Sequence, residues 1–164
     1  MNYKLVLRLL GLLTKAFSVI VLVPLLISLA VDHEHIIVFL ETLHISVGVS
    51  RLFLYYGTKK TTYRLRIREA MAIVGCGWML VCFLGALPYL FNGMGLIDSV
   101  FESVSGFTTT GVTTVRSFSE FSNSLLAWRC LTHWFGGIGV IMLFIVIMPQ
   151  MNSGAGYLFN AELP

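Results

Sequence analysis

SGFTTTGVTT, residues 105–114, gathers five threonines, two glycines and a serine in a chain that is 57% hydrophobic. Its meaning depends on what flanks it. The apolar stretch Ala70–Phe91 lies before it and Leu125–Met148 after it, each long enough for a bilayer core at about 20 residues per helix. Two further stretches of that kind, Leu5–Ala30 and Ile36–Tyr56, come earlier. Only 12% of the 164 residues are charged and the mean hydropathy is +0.85, whereas about a quarter of the residues are charged in a typical soluble domain. The expected fold is therefore an all-α membrane protein of about four transmembrane helices, with the Thr-rich segment between the third and fourth. A chain of this length leaves no room for a sizeable soluble domain as well.

The first stretch ends Ser28-Leu29-Ala30, a small-residue pattern that also suits signal cleavage, but it is longer than a usual signal core and Pro24 suits a kinked membrane helix. In the second, Glu41, His44 and Gly48 recur at helical spacing and are expected on one face turned toward protein. Arg51 also interrupts this stretch. Cys76, Cys82 and Cys130 lack metal-ligand spacing and read as small packing residues. Lys59, Lys60, Arg64, Arg66 and Arg68 crowd the connection between the second and third stretches. By the positive-inside tendency that connection and the amino terminus, with Lys4, Arg8 and Lys15, are cytoplasmic, and residues 92–124 lie on the outer side. A topological signal explains the basic cluster, so no nucleic-acid partner is expected. The chain divides into residues 1–68, two amino-terminal helices with the basic connection, and residues 69–164, a helix, loop and helix unit with the start of a cytoplasmic segment.

The 33-residue connection is more than a loop. Asn92-Gly93-Met94-Gly95 reads as a turn, and Ser99 with Glu102 fits a capping box that starts a short helix, about Ser99 to Ser105, stopping at Gly106. Its apolar face is Val100, Phe101 and Val104. So short a helix needs packing from neighbours, which favours a re-entrant helix sunk into the protein. Beyond it, successive β-branched threonines favour extended backbone, and Gly111 permits angles other residues resist. Non-helical backbone at membrane depth is tolerated where protein buries it or where it lines a watery cavity. Carbonyls of Thr108, Thr109, Thr110, Gly111 and Val112 turned to a common axis are able to replace the water shell of a monovalent cation, beside the negative end of the short helix. An ordinary exposed loop, or a glycosylated or adhesive one, also fits this composition, although the loop holds no Asn-x-Ser/Thr sequon. Gly136, Gly137 and Gly139 on the fourth stretch allow close helix packing. Arg129 and His133, with Trp128 and Trp134, read as an interfacial anchor. No catalytic or metal-ligand constellation surrounds His133, and no enzyme activity is expected.

DSVFESVSGFTTTGVTT, Asp98 to Thr114, followed by RCLTHWFGGIG, Arg129 to Gly139, and an apolar run ending at Pro149, resembles the first pore unit of the Trk/Ktr/HKT superfamily of potassium transporters. It is most similar to the amino-terminal part of the bacterial Trk-type membrane subunit, whose two extra helices correspond to the first two stretches. The resemblance covers essentially the whole chain. It implies a multi-pass protein of the inner, or plasma, membrane that takes up potassium through a pore built of four such units. Gly111 would be the glycine of the first filter strand, potassium would bind at Thr109, Thr110 and Gly111, and Ser99 and Glu102 would support the pore helix. It also implies two kinds of partner: the remaining pore units, and a cytoplasmic nucleotide-binding regulatory subunit. No cofactor is expected in this chain; potassium is cargo. One unit where the family has four makes an amino-terminal fragment or truncated form the expectation, with a non-conducting membrane scaffold or accessory subunit as the alternative.

Overall fold

A computed structural model describes residues 2–57, 67–115 and 121–141. α1 spans Tyr3–Ala30, started by Asn2, whose Oδ1 accepts from the Leu5 amide at 3.3 Å, and it carries Pro24 within its length. A 3-10 turn, His33–His35, leads into α2, Ile36–Tyr56, which ends at the extended Gly57. α3 runs Ile67–Phe91. The chain then reverses through Gly93, whose φ of 90° lies in the left-handed region that glycine enters without strain, and enters α4, Leu96–Phe107. α5 is described over residues 123–141. Among the described residues three helices are long and apolar enough to cross a membrane: Tyr3–Ala30, His33–Tyr56 and Arg68–Phe91. The fourth expected span begins as a helix, and its end, with most of the basic connection, lies outside the described residues.

α1 and α2 form a close hairpin because their seam is small. A Cβ on Gly11 would come within 3.0 to 3.1 Å of Leu54 and Phe53, and the Ser50 hydroxyl donates to the Gly11 carbonyl at 2.8 Å. The face of α2 that packs inward is Phe39, Thr42, Ser46 and Ser50. Thr42 and Ser46 hydroxyls donate to carbonyls four residues back on their own helix, so they are buried without needing partners across the seam. Glu41, His44 and Gly48 lie on the opposite face, exposed among the described residues.

One core joins the amino-terminal hairpin to the rest. Phe17, Val21 and Leu25 of α1 and Phe39 of α2 cluster with Leu84 and Tyr89 of α3, Phe107 of α4, and Leu125 and Trp128 of α5. Phe17 is central, with the Trp128 ring at 5.7 Å edge-on and Phe107 at 6.4 Å. Trp128 is fully buried and its indole N–H donates to the Gly85 carbonyl at 3.1 Å, so it is a core residue and not the interfacial anchor that its position near a helix start suggests. Cys76 and Cys130 are exposed and Cys82 is half-buried, so only Cys82 takes the packing role expected for all three.

The hairpin is tied at both ends. The Asn2 amide donates to Glu69 at 2.8 Å, and beyond the far end of α1 the Asp32 carboxylate accepts from the Ser124 amide at 2.7 Å and from Asn123 Nδ2 at 3.4 Å. Asp32 thus caps α5 from another part of the chain and faces the positive end of its dipole. Asp32→Ala is expected to cost about 1 kcal/mol, read as a lower unfolding midpoint of the detergent-purified protein. An unchanged midpoint would show that the cap contributes nothing.

Candidate functional site

The loop after α4 owes its shape to a helix that buries its polar side. Ser99, Glu102, Ser103, Ser105, Gly106 and Phe107 are buried, whereas Phe101 and Val104 are 42% and 39% exposed. The expected apolar face is therefore not the face that packs on the described protein. Small residues explain the inversion. They let α4 settle against α3 and α5: Ser103 donates to the Cys82 carbonyl at 2.7 Å, a Cβ on Gly106 would overlap Thr132, and one on Gly85 would meet Phe107 and Ser103.

α4 also starts earlier than expected, with Gly95 as its cap. Ser99 accordingly sits inside the helix, where its amide and its hydroxyl both donate to the Gly95 carbonyl at 2.8 Å. The capping box of Ser99 and Glu102 is not made. Glu102, fully buried, points the other way, into the loop and toward α5. Its Oε1 accepts from the Thr113 hydroxyl at 2.6 Å, the Thr114 amide at 2.7 Å and the Thr114 hydroxyl at 3.3 Å. Its Oε2 is ion-paired with Arg129 Nη1, and Arg129 Nη2 donates to the Gly111 carbonyl at 3.3 Å. Arg129, only 8% exposed, is thus the second residue whose expected place at the interface is wrong. Trp134, 62% exposed, is outside, and His133 bonds through Nδ1 to the Arg129 carbonyl at 2.8 Å.

Between these fixtures the backbone is not uniformly extended. Thr109 has φ 58° and Gly111 φ 77°, so two left-handed residues alternate with their neighbours where a run of β-branched residues favours extension. The cause is the end of α4. The Ser105 carbonyl accepts both the Thr110 amide at 3.0 Å and the Gly111 amide at 3.4 Å, and the Gly106 carbonyl accepts the Thr109 amide at 2.9 Å. The Thr108 and Thr110 hydroxyls lie 2.8 Å apart and tie that turn. A left-handed threonine is costly for a β-branched residue and persists here because these bonds over-determine it.

All five residues from Thr108 to Val112 are exposed. The Val112 carbonyl accepts from Ser105 Oγ, the Gly111 carbonyl from Arg129 and the Thr108 carbonyl from the Thr109 hydroxyl. The carbonyls of Thr109 and Thr110 accept no hydrogen bond among the described residues. The loop is therefore an exposed stretch with uncommitted oxygens at Thr109 and Thr110, on a backbone tied to Ser105 and Arg129. Of the three glycines of α5, Gly136 lies against the backbone of Phe107, Gly137 faces the Thr109 methyl group and Gly139 faces the Trp78 ring. Among the described residues no group of three metal-ligating side chains occurs.

Residues 35–163 match the family described as TrkH, cation transport protein. The chain belongs to the TrkH family. Over 167 aligned residues it is 32% identical to the Trk system potassium uptake protein TrkH of Escherichia coli K12 and 33% identical to that of Halomonas elongata, covering 100% of this chain and 34% of each relative. It is 31% identical to the Trk system potassium uptake protein TrkG of Escherichia coli K12 over 94% of its own length and 32% of that protein's. The crystal structure of the potassium transporter TrkH from Vibrio parahaemolyticus superposes with a TM-score of 0.84 at 27% identity, covering 98% of this chain and 37% of that one. The chain thus spans about a third of the length of its TrkH relatives. Membership of a cation transport family, together with three apolar helices, makes it a multi-pass membrane protein.

The sequence singled out Glu102 as the capping partner of Ser99, a contact that is not made, and left its pairing with Arg129 unread. The signal was present: a lone Arg in an apolar stretch and a lone Glu in a neighbouring short helix are each expensive in a membrane and pair for that reason.

Proposed function

We propose that this chain supplies one quarter of a potassium uptake pore, with the backbone of Thr108–Val112 as one strand of the selectivity filter and α4 as a re-entrant pore helix. The observation that carries this reading is the pair of uncommitted carbonyls at the exposed residues Thr109 and Thr110, on a loop tied to Glu102, Arg129 and Ser105. The carbonyl of Gly111 keeps a second lone pair and completes the set. A dehydrated potassium ion needs several carbonyl oxygens held in place before it arrives, and the clamp provides that rigidity. Transport then needs no covalent step: the ion exchanges water for carbonyls, beside the negative end of α4, and moves down its electrochemical gradient.

One strand encloses no ion, so the pore is completed by three further units. The basic residues of the connection favour a plasma-membrane protein with a cytoplasmic amino terminus, and regulation would fall to a cytoplasmic nucleotide-binding subunit. The names of the TrkH and TrkG relatives, potassium uptake proteins, favour transport over a non-conducting scaffold.

The test is potassium-limited growth of a strain lacking its own uptake systems, rescued by the full reading frame that carries this chain. Gly111→Asp is expected to abolish rescue while leaving the protein in the membrane. Aspartate is among the side chains that best tolerate a positive φ, so the loss reports charge and bulk at the ion path more than backbone strain. Rescue that survives this substitution would end the filter assignment.

A further inference from the structure

A cavity of about 550 Å³ opens beside the loop, lined by Thr109, Arg129, Cys130, His133 and Trp134. Cys130 and His133 stand three residues apart on α5, which makes them neighbours on one helix face with Cβ atoms about 5–6 Å apart. A thiol and an imidazole at that spacing are metal-ligand chemistry. Thr109 adds an oxygen from the loop, since its carbonyl accepts no hydrogen bond among the described residues. Arg129 shares the cavity, but its charge is paired with Glu102.

The orientation of His133 is already that of a ligand. A main-chain carbonyl only accepts, so the 2.8 Å contact between Nδ1 and the Arg129 carbonyl puts the ring proton on Nδ1. In the neutral ring Nε2 then carries the lone pair. That nitrogen is 3.9 Å from the position a Cβ on Gly111 would take, so it stands at the loop. Metal-binding histidines characteristically donate their other ring N–H to a carbonyl or carboxylate, which fixes the tautomer and the ring plane before the ion arrives. One turn earlier Cys130 is exposed and in no disulfide.

We propose that Cys130 Sγ and His133 Nε2 bind a divalent ion of the zinc class, Zn²⁺ or Cd²⁺, with the Thr109 carbonyl and water completing the set, and that the bound ion blocks the loop to potassium. Thiolate with imidazole selects such ions over Mg²⁺ and Ca²⁺, which take oxygen ligands. Zinc holds sulfur at about 2.3 Å and nitrogen at about 2.0–2.1 Å, lengths that two side chains one turn apart can meet. The thiol releases its proton to water as the bond to the metal forms. Two protein side chains make an open site that fills and empties, unlike a closed structural one. The block follows from charge: a divalent ion on the Thr109 oxygen takes one of potassium's ligands and repels the ion itself. Only the block rests on the pore assignment; the binding does not.

The test uses the full-length transporter that carries this chain, purified in detergent, with Cys130 as its one remaining cysteine and alkylation by a maleimide followed by mass. Rising Cd²⁺ should slow the reaction at least about tenfold, the fall in free thiol reached near ten times the dissociation constant. Mg²⁺ should leave it unchanged, and His133→Gln should remove the protection at the same Cd²⁺. An ultraviolet Cd–thiolate charge-transfer band should appear in the parent protein and be absent from Cys130→Ser. In proteoliposomes the same Cd²⁺ should lower rubidium uptake about tenfold, and Cys130→Ser should restore it. The site is overturned if Cys130 takes no label, if Cd²⁺ does not slow labelling, or if His133→Gln keeps the protection. Uptake that Cd²⁺ leaves unchanged while Cys130 is protected overturns the block. A transporter with no uptake even in the absence of Cd²⁺ speaks against the pore assignment, and the labelling then decides the site by itself.

Discussion

On the proposed uptake function, Glu102→Ala should reduce potassium or rubidium uptake by at least about 100-fold, a loss equivalent to about 2.7 kcal/mol. The substitution removes the acceptor for Thr113, for the Thr114 amide and for Arg129 at once. It leaves the Arg129 guanidinium buried without its carboxylate, and breaking one side of a buried pair costs about 3–5 kcal/mol. The cost falls on the loop, because Arg129 also holds the Gly111 carbonyl. Glu102→Asp keeps the charge but shortens its reach by one methylene, so it should give intermediate uptake. Membrane abundance measured alongside separates a misplaced loop from a lost protein. Near-normal uptake in a well-expressed Glu102→Ala variant would show that the clamp does not set the loop.

Gly136→Ala and Gly137→Ala should differ sharply although the residues are neighbours. A methyl group at position 136 would overlap the Phe107 main-chain carbonyl, and a backbone atom at the end of α4 has nowhere to retreat without moving Thr108 and Thr109 with it. Overpacking of this kind costs about 1–3 kcal/mol. Uptake should fall about tenfold or more, together with the unfolding midpoint. At position 137 the nearest atom is the Thr109 methyl carbon at 3.8 Å, ordinary van der Waals contact. There the gain in helix propensity, up to about 1 kcal/mol, should leave uptake intact and stability equal or higher. Equal effects at the two positions would mean that Phe107 does not rest on α5 as described.

The long helices and the turn at Gly93 were legible because bilayer thickness and glycine's freedom at positive φ act locally. The inward faces were not. Reading Val100, Phe101 and Val104 as the packing side of α4 assumes water on the other side, whereas the described packing of α4 runs through Ser103, Ser105 and Gly106. In a bundle that sits in lipid, apolar side chains gain nothing by turning inward, and small polar residues that allow close backbone contact take the seams. On α2 likewise the inward face holds Thr42, Ser46 and Ser50 beside Phe39. Trp128 and Arg129 misled for a related reason: aromatic and basic residues near a span's end usually mark the interface. Here Gly85 and Glu102, remote in sequence, supply buried partners. The loop itself was recognisable from Thr108 to Val112, but its left-handed Thr109 was not, because the bonds that impose it come from α4 and not from threonine's own preference.

The two ties at the ends of α1 make that helix a gauge. From the Asn2 amide on Glu69 to the Asp32 carboxylate on Ser124, its 28 residues set a length of about 42 Å between the beginning of α3 and the beginning of α5, at opposite ends of the bundle. Sliding or tilting of α3 against α5 cannot occur without unfastening one of those ends. A single residue inserted into α1 would lengthen it by about 1.5 Å and turn one fastening by about 100° relative to the other, so the hairpin sets the lengthwise offset between the two helices that flank the loop.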